Sequence, residues 1–409
     1  MANKENDPML SSQQTNLDKK NTPVTAHGHS NNISILMNIF TILCSIIFGL
    51  VFGFLINKGT VFVAPTIRKQ MLFQRFAMLK MFLAAVGMSM LSVALLELFR
   101  KVLYGKIING YIEHNSRRNF VHYIVGGSLI GLGMVICGSC PGTVYIQVGS
   151  GIVNSLFTCL GGLLGTYFYY GIIHERVSTE KLPSTSFVLR RISDLLHTPS
   201  IIVHLILGLL FLGAAIGLEF FVPWRSDLDY YFQIRSNLNP QRMIGSVFRM
   251  AAWPPSLCGA GVGLLQFFFI LCLEKSLGAS SAFSVLAAQL CRIKIIGQKI
   301  PSLVGLTYGL KNYTALLFAL AAVGGSALSS ILSDTLPLGP ENGTNILSSI
   351  LGGFLLLVGA RCAGGCTSGQ GISGTTHLLV GSFLTTACIF GSGIIFAFSF
   401  SLSKNEWLF

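Results

Sequence analysis

The sequence predicts an all-α integral membrane protein of about nine transmembrane spans, built as two inverted pseudo-twofold repeats with broken or re-entrant helices at the midplane. Three observations carry this. Only 11% of the 409 residues are charged, where a soluble domain carries about 25%, and mean hydropathy is +0.66. Apolar stretches recur at the length of about 20 residues that a bilayer crossing requires. Two Gly/Cys motifs, one in each half, repeat at a fixed offset. The composition excludes an ordinary soluble enzyme, a disordered chain and a coiled coil.

Residues 1–32 are polar and read as a disordered tail without a cleaved signal peptide, because no apolar core leads to a small-residue cleavage site. The first transmembrane repeat, 33–173, opens with a span from Ile33 to Asn57. Residues 58–78 are amphipathic and basic, as in an interfacial or re-entrant piece. A span follows from Leu79 to Phe99, with Lys80 and Glu97 at its opposite ends, as interface residues would be. Phe120 to Cys137 is apolar and breaks at CGSCPG, and Ile152 to Ile173 crosses again. Residues 174–256 form a linker with one additional span, Ile201 to Val222. The second repeat, 257–402, contains Leu257 to Leu277, a mixed interfacial or re-entrant stretch at 278–300, a span within Pro301 to Leu332, Asn345 to Cys362, a break at AGGCTSGQGISG, and His377 to Leu402. A short tail, 403–409, closes the chain.

Net charge is +13. The basic residues lie between apolar spans and form no stripe, which argues against nucleic-acid binding. They orient the chain, or draw in an anion, or both. With the N-terminus inside, the inner segments hold 16 basic residues and the outer ones 10, so that orientation is favoured. It leaves the Asn342-Gly343-Thr344 sequon outside. Most of the ten cysteines lie in apolar stretches, which argues against an extracellular disulfide framework. A plasma or bacterial inner membrane fits best.

At an offset of 226 residues, GGSLIGLGMVICGSCPGTV (126–144) lies over GGFLLLVGARCAGGCTSGQ (352–370). Gly126, Gly127, Gly133, Gly138 and Cys140 fall on Gly352, Gly353, Gly359, Gly364 and Cys366, while Cys137 falls on Ala363. A weaker match sets GLVFGFL (49–55) beside GAGVGLL (259–265). One intervening span between four-span halves inverts them in the membrane, the plan of many transporters, with the site at the midplane.

Each aligned cysteine sits where an apolar helix breaks, and irregular backbone at that depth belongs against protein or a polar cavity. Gly142 follows Cys140, and Pro141 suits the first position of a half-helix. Thr367 and Ser368 suit the cap of its counterpart. Two such termini would aim N–H groups at one anion; close Gly-rich packing with incidental cysteines is the alternative. A thiol buried in apolar surroundings is uncharged, a weak donor with a soft sulfur. Two of them suit a large, weakly hydrated, sulfur-bearing anion better than phosphate or chloride. Metal-like spacing in Cys137/Cys140 and Cys362/Cys366 keeps a zinc site open as a rival, and the CxxC form of CGSC keeps a redox dithiol open.

Through GLGMVICGSCPGT (131–143) and GARCAGGCTSGQGISG (359–374), and less strongly QMLFQRFAMLKMFLAAVG (70–87) and WPPSLCGAGVGLLQ (253–266), the chain resembles the YeeE/YedE family of sulfur transporters over about 33–402. The resemblance implies a pseudo-twofold bundle that passes thiosulfate through a narrow midplane constriction, relayed by cysteine thiols, with Cys140 and Cys366 as the relay. A third family cysteine near the outer mouth has Cys44 and Cys258 as candidates, and Gln370 stands where the family commonly has His.

Arg361 is placed either to offset a dianion's charge or to bind free carbonyls. Thr143 and Gln370 are candidate donors to substrate, with helix capping as the alternative. His122 and His377 flank the motifs, where packing explains them more readily than proton coupling. No GxxxxGK[ST] loop and no catalytic His/Asp/Ser constellation occurs, so neither enzyme activity nor a cofactor or metal is expected. A membrane thiol oxidoreductase or sulfurtransferase using CGSC, and a non-sulfur anion channel, are the competing functions.

Overall fold

The computed structural model describes residues 25–177, 186–228, 232, 247–339 and 342–402. The C-terminal tail 403–409 and most of the N-terminal tail lie outside the described residues. The principal helices are α1 (Thr25–Lys58), α2 (Ala64–Met71), α3 (Ala77–Phe99), α4 (Lys101–Asn115), α5 (Phe120–Cys137), α6 (Thr143–Gly149) and α7 (Ser155–Phe168). They continue as α8 (Ser200–Phe221), α9 (Pro255–Leu273), α10 (Ser281–Leu290), α11 (Leu310–Leu332), α12 (Ile346–Cys362), a π-helical segment (Thr367–Gly374) and α13 (Val380–Leu402). Among the described residues there is no strand, only an isolated bridge between Arg191 and Leu379. Nine of these helices are long and apolar enough to cross a membrane, as the sequence predicts. Where the chain leaves a helix inside the bundle, its backbone groups are met by side chains from other elements, as a water-free interior requires.

The chain divides into two units at Phe40/Thr41. The described part of the first is the opening of α1, which begins at Thr25 rather than Ile33. The second, from Thr41, is the helical body. Within it α3 packs on α8 and α9, α12 on α5 and α7, α13 on α5, and α6 on α11.

The contact between α5 and α12 is reciprocal under the 226-residue offset. A Cβ on Gly126 would lie 2.5 Å from the Ala363 nitrogen, and one on Gly352 2.5 Å from the Cys137 nitrogen. Nearer the crossing, a Cβ on Gly133 would lie 2.7 Å from the Leu356 nitrogen, and one on Gly359 2.8 Å from the Ile130 nitrogen. The start of α5 meets the end of α12, so the two aligned helices run in opposite directions. Only glycine permits such an approach without displacing backbone.

Several local expectations are corrected. Lys80 is not an interface residue: it is fully buried, its Nζ donates to the Val222 carbonyl, and it lies 3.5 Å from Glu219 and 3.4 Å from Asp227. Glu97 is likewise tied inward, to Ser200 and His204. Asn342 of the sequon is buried, which leaves no room for a glycan. His122 forms a capping box with Asn119, so local helix geometry accounts for it.

Candidate functional site

Both helix breaks are built by the same devices. After α5, Gly138 adopts φ +58° and sits so close to Ala64 that a Cβ would lie 2.3 Å from the alanine's own. After α12, Gly364 adopts φ +78° against Arg118. Left-handed backbone and tight approach coincide, so glycine is required at both. The free carbonyls at each helix end go to an arginine from elsewhere. Arg68 of α2 donates to the Val135 and Ile136 carbonyls at 2.9 and 2.6 Å, and Arg118 donates to Cys362 O at 3.2 Å. A cation at a helix C-terminus also meets the negative end of its dipole.

The backbone then restarts at a cysteine. The Cys140 carbonyl accepts from Val144 N at 3.1 Å; α6 itself starts at Thr143 with Gly142 as its cap, so Pro141 lies before the helix and not at its first position as expected. The Cys140 sulfur accepts from the N–H of Thr143, three residues on, at 3.4 Å. Cys366 is the cap residue of the π-helical segment. Its carbonyl accepts from Gln370 N at 2.7 Å, while its side chain makes no cap hydrogen bond. Only the Cys140 sulfur thus takes an N–H from three residues on, as a cap serine's oxygen would, although the cap residue of α6 is Gly142.

The expectation that Thr367 and Ser368 cap the second segment is corrected: Cys366 holds the cap position. Ser368 instead lies 3.2 Å from the Cys366 sulfur and accepts from Ala279 N at 3.1 Å. With the Ser368 hydroxyl beside the sulfur, the surroundings of Cys366 are polar rather than apolar. Because α6 runs only from Thr143 to Gly149, single N–H groups, not a long helix dipole, supply the positive end there.

The remaining residues singled out in the sequence are placed as follows. Pro141, Gly142, Thr143 and Thr367 are buried around the two cysteines. Thr143 Oγ1 accepts from Cys140 N at 2.7 Å and donates to Cys140 O at 3.2 Å, closing the turn. Gln370 is fully buried, and its amide donates to Ala363 O at 2.7 Å and Asn115 Oδ1 at 3.0 Å. Gln147 does the same at the other break, donating to Gly138 O at 3.1 Å and Phe62 O at 2.7 Å. Arg361 is partly buried and donates to Ser284 Oγ on α10 at 2.8 Å, while its Nε has no hydrogen-bond partner. Cys258 is fully buried on α9, and Cys44 is buried on α1.

Two contributors escaped the sequence reading. The turn Ala279–Ser280 leading into α10 reaches Ser368, and Tyr145 on α6 donates to Ala279 O at 3.2 Å and stacks on Phe283. A continuous line runs from the Cys140 turn through Tyr145, Ala279 and Ser368 to Cys366. The mixed composition of 278–300 marked a re-entrant piece; nothing local marked its contact with the second break. Among the described residues no three His, Cys, Asp or Glu side chains gather to hold a metal ion, and all ten cysteines are free thiols.

A family model described as sulphur transport matches residues 58–395. The chain belongs to this family, YeeE/YedE. A curated relative, the "Thiosulfate transporter TsuA" of Spirochaeta thermophila, is 23% identical over 348 residues, covering 83% of this chain and 92% of that protein. The matched region contains both cysteine breaks, α2 and α10. This sulphur-transport family member is a multi-pass membrane protein.

Proposed function

We propose that the protein carries thiosulfate, or a closely related sulfur anion, across the membrane, and that the Cys140 and Cys366 thiols pass it through a constriction between the two helix breaks. The carrying observation is the matched placement of the two thiols, each two residues past a left-handed glycine that ends a helix. The Cys140 sulfur accepts an N–H bond from Thr143, which occupies a sulfur lone pair and leaves the S–H proton to point elsewhere. A polarised S–H donor of this kind suits the terminal sulfur of thiosulfate, since both partners are soft and weakly hydrated. Bonds to a charged partner contribute about 1.5–3 kcal/mol each, enough to hold a dianion briefly and weak enough to release it.

The two breaks are related as the halves of an inverted repeat. The reciprocal α5–α12 approach at Gly126, Gly133, Gly352 and Gly359 supports that relation. The helix pairing supports it too: α12 with α7 answers α5 with α13. Thr143, Gln147 and Gln370 shape the breaks. Arg361, half-buried beside α10 with Nε unpartnered, offsets the anion's charge. The thiosulfate transporter among the relatives agrees in substrate class.

Radiolabelled thiosulfate uptake into proteoliposomes tests this reading, with sulfate, sulfite and selenosulfate as competitors. Competition by selenosulfate and not by sulfate is expected. Equal competition by sulfate contradicts a site selective for a soft terminal atom. The CGSC oxidoreductase reading instead requires a covalent adduct or a disulfide at Cys140 during turnover, which mass spectrometry detects.

A further inference from the structure

The end of the bundle where α3 finishes and α8 begins holds a polar cluster that the anion relay does not use. Glu97 is on α3, Tyr104 on α4 and His204 on α8, while Arg191 precedes α8 and Thr376 and His377 follow the π-helical segment. His204, Thr376 and His377 are fully buried. Buried polar atoms without a hydrogen-bond partner concentrate here: Glu97 Oε2, Arg191 Nη2, His204 Nδ1, Thr376 Oγ1 and His377 Nδ1. Such atoms are costly, and a cluster of them marks a place where something further binds.

His204 fixes what that is. Its Nε2 lies 2.8 Å from the Thr376 carbonyl. A carbonyl only accepts, so Nε2 carries the proton, and in a neutral imidazole Nδ1 is then a bare lone pair. Nδ1 faces Glu97 Oε2 at 3.5 Å, and the other carboxylate oxygen accepts from Ser200. A lone pair turned toward an ionised carboxylate in a buried site is repulsive. One additional proton, on either group, turns the contact into attraction.

We infer that Glu97 and His204 share one proton and that this pair is the proton-binding site through which anion movement is coupled to proton movement. The inference rests on the transport reading above and adds its driving ion. The other titratable and charged groups facing the pair are Tyr104, whose hydroxyl is 3.4 Å from His204 Nε2, His377, whose ring centroid is 6.0 Å from that of Tyr104, and Arg191, whose Nε donates to His377 O. Counting Arg191 as the cluster's cation and Glu97 as its anion, the shared proton takes the cluster from neutral to singly positive.

The cluster abuts the Cys366 break. His204 holds the Thr376 carbonyl just past the π-helical segment. His377 Nε2 is 2.7 Å from Ser276 Oγ, and the adjacent Leu277 carbonyl accepts from Ser373 within that segment. The Tyr111 ring lies 5.0 Å from that of His377, and its hydroxyl is 3.0 Å from Gly369 O and 3.1 Å from Gln370 Oε1. Loss of the proton restores repulsion at Glu97 and loosens this hold on the segment behind Cys366. An arriving dianion favours the protonated, positive state, which is the thermodynamic content of coupling.

The test uses the full chain in proteoliposomes with pyranine inside and the membrane potential clamped by potassium and valinomycin. Thiosulfate influx is expected to acidify the lumen, and an acidic exterior to raise initial uptake several-fold. Glu97→Gln and His204→Gln are expected to keep thiosulfate counterflow while losing both responses. Wild type that performs counterflow with silent pyranine and no gradient response overturns the coupling and leaves the transport reading standing. Wild type without counterflow overturns the transport reading, and the shared proton is then judged by infrared difference spectra between alkaline and acid buffer. A carboxyl band missing in Glu97→Gln and moved in pH by His204→Gln supports the pair; a band that does not move overturns it.

Discussion

Gly133→Ala and Gly359→Ala probe the reciprocal crossing of α5 and α12. A methyl group at residue 133 would lie 2.7 Å from Leu356 N and 2.8 Å from Gly352 O; one at residue 359 would lie 2.6 Å from Gly126 O and 2.8 Å from Ile130 N. All four neighbours are backbone atoms, so no rotamer change relieves the clash. Overpacking of this kind costs about 1–3 kcal/mol, and alanine's better helix propensity returns at most about 1 kcal/mol. Each variant is therefore expected to lose up to about 2 kcal/mol, the difference of those two figures. Because the methyls wedge the same two helices apart on either side of their crossing, one separation relieves both. The double variant is expected to fall short of the sum by about 0.5 kcal/mol or more. Thermal unfolding in detergent, followed by the surviving monodisperse peak on gel filtration, measures this. Full additivity, or tolerance of one substitution but not the other, refutes the reciprocal crossing.

Lys80→Met leaves Asp227 and Glu219 facing an apolar side chain, and breaking such a buried pair costs about 3–5 kcal/mol; thermal unfolding should show a large loss, partly recovered by adding Asp227→Asn. Gln147→Leu and Gln370→Leu each strip two donors from the carbonyls around a helix break, at about 1–3 kcal/mol per orphaned group. Both are expected to lower stability and thiosulfate uptake together, whereas loss of uptake at full stability would place the glutamines on the anion itself.

The spans were legible because membrane helices announce themselves by length and apolarity alone. The two breaks were legible because Gly138/Gly364 and Cys140/Cys366 recur at one offset, and left-handed backbone leaves glycine as its trace. What closes the breaks was not legible. Arg68, Arg118, Tyr145 and Ala279 reach them through contacts with distant parts of the chain, and no local pattern records such contacts. Thr367 and Ser368 look like caps by type, yet the cysteine before them takes that role. Lys80 and Glu97 look interfacial by position along α3, but their partners Asp227, Glu219 and His204 come from beyond it.

The central claim, that the Cys140 and Cys366 thiols hand a soft anion across, is tested most directly by initial thiosulfate uptake in Cys140→Ala, Cys366→Ala and the two serine variants. Removing one S–H donor to a charged substrate costs about 1.5–3 kcal/mol, so each alanine variant should fall about 10- to 150-fold by the corresponding rate arithmetic, with serine restoring only part. Wild-type uptake by either alanine variant would contradict the relay.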